Sequence, residues 1–330
     1  MATFNAFFKF DIDLLNLNWF IDNLESYRLD QNVFDPWEDR YSTFTPDEAL
    51  VLHGSSFRYD AAGQMYKGTV EAVSQWFYDD DLLAWTEAFL LSQIEVPSLD
   101  VYNASQTAST GDDFALLAQI LSGDDLIAMS MFDDNMRGFD GADTMFGFGG
   151  SDTLSGDEGN DELRGGSGND KLLGGLGKDN LRGGADNDTL RGGDDGDRLN
   201  GGNGKDKLFG DDGNDVLFGV NGNDILRGGA GNDVLRGGAG RDKVFGGSGE
   251  DLFQFKTGDG IDIIKDFDVG FLNHDRIGLS GLKSVSNWKD LKMNHMEQDG
   301  DDVVIDGGNG DMLILQDTDI GNLVKMFFDF

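Results

Sequence analysis

The 330-residue chain contains no cysteine, which excludes a disulfide framework and any thiolate metal site. It has only three prolines, too few for a proline-rich or collagen-like chain. Its three histidines, His53, His274 and His295, are scattered and belong to no His-Glu-x-x-His motif, so a zinc protease of that type is excluded. No Gly-x-Ser-x-Gly nucleophile turn is present either. Basic residues are scarce: 25 Lys and Arg stand against 62 Asp and Glu, for a formal net charge of −37. Such a chain is repelled by nucleic acid and by anionic membrane surfaces. No run of 18 apolar residues occurs, so no transmembrane helix is expected. Near the N-terminus Lys9, Asp11 and Asp13 interrupt the apolar residues, and a cleaved secretory signal is not expected.

What the chain has in abundance is glycine, 49 residues of it, arranged with a period. From Gly138 to Gln254 a nine-residue unit, Gly-Gly-x-Gly-x-Asp-x-U-x with U a large apolar residue, runs for thirteen copies in one register. The sixth position is always aspartate: Asp143, Asp152, Asp161, Asp170, Asp179, Asp188, Asp197, Asp206, Asp215, Asp224, Asp233, Asp242 and Asp251. The eighth is always apolar, from Met145 through a run of leucines to Val244 and Phe253. Glycines at positions one, two and four are expected to supply the φ > 0 conformations of a tight turn, and x-U-x a three-residue strand. U then points inward while positions seven and nine face out.

One apolar side chain per nine residues is a thin core against roughly 1–2 kcal/mol of backbone entropy per residue. Stacking also brings the aspartates into register, which is repulsive until a hard cation lies between successive loops. Ca²⁺ accepts carboxylate and carbonyl oxygens in a cage of adjustable size; Mg²⁺ demands a stricter octahedron. Folding and metal binding are therefore expected to be one event. Asp186 and Asp195 replace the fourth-position glycine, and Phe139, Phe148, Asp157, Asp211 and Val220 the second; the expectation for Asp188 and Asp197 is weakened accordingly.

These repeats resemble those of the RTX (repeats-in-toxin) proteins of Gram-negative bacteria. The resemblance implies a mainly β fold: a right-handed parallel β-roll of two repeats per coil, whose Ca²⁺ ions are bound by the position-six aspartates and by carbonyls of glycine positions. The glycines so implied are Gly166, Gly168, Gly175, Gly177, Gly202, Gly204, Gly213, Gly222, Gly229, Gly231, Gly238, Gly240, Gly247 and Gly249. Loops alternate sides, which allows about eleven inter-loop sites at most. About ten ions would cancel about half of the net charge. Ser122-Gly123-Asp124-Asp125-Leu126-Ile127 fits the same register and reads as a degenerate first coil.

Three domains are expected: 1–118, an aromatic-rich effector or assembly domain; 119–254, the roll; and 255–330, a β-rich cap. The first reads as a small mixed α/β fold. Phe8 to Leu14 alternates like a strand, Phe57 to Tyr59 and Met65 to Tyr78 suggest a hairpin, Leu82 to Ile94 fits helix or strand, and Asp112 to Leu121 fits a capped helix. After the repeat, Phe255 to Gly260, Ile263 to Phe267 and Asp275 to Ser280 resemble the serralysin-type region that caps the roll. The final stretch, Val303 to Ile305, Met312 to Leu315 and Met326 to Phe330, resembles an uncleaved type I secretion signal, although Asp329 is followed by Phe330 alone. The partners implied are Ca²⁺, the type I secretion machinery and, through a self-assembling effector, the chain itself; the location implied is extracellular or at the cell surface.

The serralysin protease activity is not carried over, because its zinc motif is absent, and a pore-forming region ahead of the repeats is absent too. Two functions remain: a non-enzymatic protein of attachment or self-assembly, or a secreted hydrolase with its site in residues 1–118. Outward-facing Phe209, Phe218, Phe245, Val216, Ile225 and Val234 are expected to be covered in part by the returning C-terminal segment.

Overall fold

The computed structural model describes residues 3–6, 39–44, 48–59, 65–79, 84–97, 123–129, 133–270 and 274–330, the first five segments by backbone alone. The chain divides into two units, Met1–Phe148 and Gly149–Phe330. In the first, strands β1 (Thr3–Ala6), β2 (Asp39–Phe44), β3 (Glu48–Tyr59), β4 (Met65–Asp79) and β5 (Ala84–Pro97) form an antiparallel sheet in the order β2-β3-β4-β5-β1. The expected hairpin is β3–β4, and the ambiguous stretch after Leu82 is strand β5. The expected strand over Phe8–Leu14 and the helix over Asp112–Leu121 fall outside the described residues. Strand β1 also pairs in parallel with Leu126–Ala128, which pairs with Thr144–Phe146 eighteen residues on. Within this unit Ile127, Met136 and Met145 are buried at the U position.

The second unit is built by the repeat. Each copy makes one short strand and each turn carries the chain to the opposite sheet, so strands eighteen residues apart pair in parallel: Leu163 with Leu181, Leu181 with Leu199, Leu199 with Leu217 in one sheet; Leu154 with Leu172, Leu172 with Leu190, Leu190 with Leu208 in the other. The inward U side chains from Leu154 to Leu226 are 0% exposed. The result is a parallel β-solenoid of about eight turns with almost no helix.

The outward Phe209, Phe218 and Phe245 are half-buried, each with an arginine over its ring, and Phe218 shares a hollow with Thr257, Gly258 and Asp259 of the C-terminal segment. Arg191 lies over Phe209 at 5.1 Å, Arg198 over Phe218 at 5.2 Å and Arg227 over Phe245 at 4.3 Å. Stacking of the coils places a cation from the preceding coil above each ring, in register for Phe209 and Phe245 and diagonally for Phe218, a contact favourable to both.

Beyond Gln254 the coils continue without the glycine turns. Ile261–Ile264 pairs with Lys243–Val244 at a spacing of twenty residues, and Arg276–Gly281 with Leu252–Lys256 at about twenty-four. An antiparallel meander, Met296–Asp299, Asp302–Gly308 and Asp311–Leu315, then closes one sheet, its last strand pairing in parallel with Ile261–Ile264. Phe328–Asp329 closes the other sheet against Ile277–Gly278. Both open edges of the solenoid are thereby covered at this end.

Candidate metal centre

The aspartate column is buried. From Asp143 to Asp251 each residue at position six is at most 3% exposed. The two carboxylate oxygens have different fates. Oδ1 accepts the backbone N–H of the aspartate one coil earlier: Asp152 donates to Asp170 at 2.9 Å, Asp161 to Asp179 at 2.8 Å, Asp170 to Asp188 at 2.9 Å, and the series continues through Asp206 to Asp224 at 2.9 Å and Asp233 to Asp251 at 2.9 Å. Oδ2 of Asp170, Asp179, Asp188, Asp197, Asp206, Asp215, Asp224, Asp233 and Asp251 is buried and accepts no hydrogen bond.

Position-one glycines make room for that second oxygen. They do not adopt positive φ, contrary to the expectation from turn chemistry. A Cβ at Gly165 would sit 2.2 Å from Oδ2 of Asp170, and one at Gly192 2.1 Å from Oδ2 of Asp197. Their lack of a side chain is a steric requirement of the carboxylate. Positions two and four are left-handed as expected, for example Gly175 at φ 121° and Gly177 at φ 112°. Their missing side chains also let carbonyl oxygens of the preceding coil approach: a Cβ at Gly175 would lie 2.0 Å from the Asp157 carbonyl. All seven glycine replacements, Phe139, Phe148, Asp157, Asp186, Asp195, Asp211 and Val220, keep φ between 66° and 85°. The turns at Asp188 and Asp197 thus retain their shape.

A second ladder, invisible in the consensus, runs the opposite way through position five. Asn160, Asn169, Asn187, Asn214, Asn223 and Asn232 each accept through Oδ1 the backbone N–H of the residue eighteen positions later, at 2.7–3.0 Å. Recurrence of Asn at that position was the available signal. The structure likewise places Asp134, Asp262 and Asp275 in buried positions at either end of the repeat. Asp262 pairs beyond Asp242 and Asp275 beyond Asp251, Oδ1 of Asp275 accepting the Asp251 N–H at 3.1 Å. The tetrapeptides Asp262-Ile263-Ile264-Lys265 and Asp275-Arg276-Ile277-Gly278 keep Asp-x-U-x after the glycines are gone.

Burial raises these carboxyls: to about 6 at Asp170 and Asp215, about 7 at Asp179, Asp224 and Asp233, and about 8 at Asp188 and Asp197. The amide bond to Oδ1 lowers each part of the way, and neighbouring aspartates raise it again. Asp186 and Asp195 add to that repulsion at Asp188 and Asp197. A buried oxygen with negative charge and no donor requires a proton or a cation. Among the described residues no three His, Asp or Glu side chains gather at one point, so a cation here would draw further oxygens from the backbone. Single carboxylates plus turn carbonyls are a hard-oxygen set, and that set fits calcium.

Residues 132–253 match the model of the RTX calcium-binding nonapeptide repeat, in overlapping segments 132–154, 146–181, 155–190, 182–217, 191–225 and 218–253. These are RTX repeats. The repeats of this family bind Ca²⁺, and no helix among the described residues of this chain is long and apolar enough to cross a membrane. Among solved structures, the extracellular lipase LipA from Serratia marcescens is similar at 17% identity and a TM-score of 0.29, over 63% of this chain and 40% of the lipase. The chain thus corresponds to less than half of that enzyme's length, and a likeness of this size says nothing of a shared activity. No curated protein sequence matches.

Proposed function

We propose that the chain is a secreted calcium-binding protein whose RTX roll folds on Ca²⁺ outside a Gram-negative cell, after export by type I machinery, and then serves attachment or self-assembly at the cell surface or in the matrix. The observation that carries the calcium-coupled part is the row of buried Oδ2 atoms with no donor. In this reading the thirteen position-six aspartates and the carbonyls of the position-two and position-four glycines hold about ten ions between loops. Bound Ca²⁺ supplies positive charge between stacked carboxylates. The residues do the rest: Oδ1 fixes the aspartate to the preceding coil, and the position-one glycine admits Oδ2.

Low cytosolic calcium leaves such a chain acidic, glycine-rich and short of core, a state fit for export. The C-terminal segment proposed as the secretion signal is paired with strands Ile261–Ile264 and Arg276–Gly281 in the folded protein, so folding after export and not before is the order that leaves it accessible. Residues 1–118 would be the effector region, 119–254 the roll and 255–330 the cap.

The test is a Ca²⁺ titration of the full-length protein followed by far-UV circular dichroism and light scattering, with Mg²⁺ as control. A coil-to-β transition is expected with Ca²⁺ alone, and growth in scattering at the same midpoint. Full β structure in chelator would sink the coupling of metal to folding, and a monomer at every calcium concentration would sink self-assembly.

A further inference from the structure

Three successive strands of one sheet, Arg198–Gly204, Val216–Gly222 and Val234–Gly240, set Asn200, Phe218 and Arg236 side by side at the ninth position of the repeat. These residues line a hollow of about 420 Å³ that is bounded also by the turn holding Asp259. That turn belongs to a longer coil, which pairs Lys243 with Ile263 at twenty residues where the repeat has eighteen. The volume lies in the range of small-molecule sites, roughly 300–1,000 Å³.

Its polar groups are few and fixed. Arg236 donates through Nε and Nη2 to the buried Asp259 at 3.1 Å and 2.6 Å, which leaves the two N–H groups of Nη1 to donate elsewhere. Asn221 donates its Nδ2 to Asn203 at 2.9 Å and keeps its Oδ1 as an acceptor. The Asn200 amide makes no hydrogen bond among the described residues. Arg198 lies over the Phe218 ring at 5.2 Å but does not line the hollow, so the hollow adjoins a part of the ring that Arg198 leaves open.

Val220 is an independent observation. It stands at φ 85° where most copies of the repeat have glycine, and among the seven replacements it alone is β-branched. At 36% exposure it gains little burial to offset that strain, yet it lines the hollow. Strain that the packing does not require is a feature of binding sites.

We infer that this hollow, with Val220 at its edge, is a binding site for a neutral sugar unit. The two charges that line it, Arg236 and Asp259, answer each other, so a charged ligand finds no counter-charge there. What remains is Nη1 and two side-chain amides for hydroxyl groups, and Phe218 and Val220 for an apolar C–H face, whose weak positive charge suits the negative face of an aromatic ring. A sugar presents both in one molecule. The site gives the attachment reading a ligand class and rests on that reading for its use, whereas the hollow itself requires only the folded roll.

The experiment is saturation-transfer NMR on the full-length calcium-loaded protein with neutral hexose, xylose and N-acetylhexosamine oligosaccharides, oligogalacturonate serving as the anionic control. Wild type, Phe218→Ala, Val220→Gly and Phe245→Ala are compared, with circular dichroism as the check on folding. At least one neutral oligosaccharide should bind the wild type. Its Kd should rise at least about fivefold in Phe218→Ala and Val220→Gly and stay unchanged in Phe245→Ala, whose ring also lies under an arginine but outside this hollow. Val220→Gly restores the common residue of the repeat, so it tests the site even where Phe218→Ala fails to fold. The inference is overturned if the folded wild type binds no neutral sugar, if Phe245→Ala weakens binding equally, or if oligogalacturonate alone binds. Sugar bound in solution by a protein that beads of the matching polysaccharide do not retain supports the site and overturns attachment.

Discussion

The roll and the cap of the second unit solve the same problem with opposite means. In the roll, two files of leucines, one from each sheet, make the core, and the buried carboxylates between coils are left with one oxygen unanswered. In the cap, aromatic rings meet edge-on or tilted: Phe267 lies 6.1 Å from Phe253 and from Phe327, and Trp288 5.2 Å from Phe328. Two of its buried acids are answered by protein, Asp311 by two glycine amides and Asp259 by Arg236. The difference teaches that this chain carries two kinds of stability in one unit. One depends on hydrophobic area and is present in any buffer; the other is conditional on a counter-ion.

The largest effect should come from removing that ion. In chelator at neutral pH, amide hydrogen exchange at the roll positions, such as Asp206 and Asp215, is expected to approach the rate of an unfolded chain, while strands 302–308 and 311–315 of the cap keep at least part of their protection. Equal loss of protection in both regions would break the comparison and make the cap dependent on the roll.

Protons should substitute for calcium in part. The column carboxyls are raised in the folded state above their unfolded value, so their contribution to the metal-free fold is fully present below about pH 4 and is lost as pH rises through about 6 to 8. Acidifying the chelated protein from pH 8 to pH 5 is therefore expected to restore β signal in circular dichroism. A flat profile over that range would show that something other than column charge unfolds the roll.

Next come the leucine files. Leu199→Ala opens a cavity at a fully buried position and should lower the stability of the calcium-loaded protein by about 2–5 kcal/mol in urea unfolding. The same substitution at Leu279 in the region following the repeat should weaken the protein with or without calcium, whereas that at Leu199 should matter only when calcium is bound.

The smallest effect concerns Val220, a β-branched residue held at φ 85°. Val220→Gly relieves that strain and should stabilise the loaded roll by about 1 kcal/mol, read as a higher urea midpoint. A lower midpoint would mean that the valine side chain contributes packing that outweighs its backbone.

Period, register and residue type were legible without coordinates, because a solenoid repeats its contacts as it repeats its sequence, and each copy sees the same neighbours. Thirteen aspartates and an apolar eighth position sufficed for the parallel β-roll, and Phe57 to Tyr59 with Met65 to Tyr78 sufficed for the hairpin of β3 and β4. What the sequence could not assign was the reason for each glycine. Position one is invariant because a carboxylate oxygen from the same repeat fills the space of its side chain, whereas positions two and four tolerate aspartate, phenylalanine and valine because their requirement is a left-handed φ. Only packing between coils separates those two demands.

The same holds beyond Gln254. Asp262 and Asp275 carry the column into the cap at spacings of twenty and twenty-four residues, which no fixed period finds. By itself, then, the sequence determined the repeating coil and the charge it must neutralise, since both follow from local order. The tertiary structure decided which oxygen of each aspartate remains unanswered and where the column ends, since those depend on atoms eighteen or more residues away.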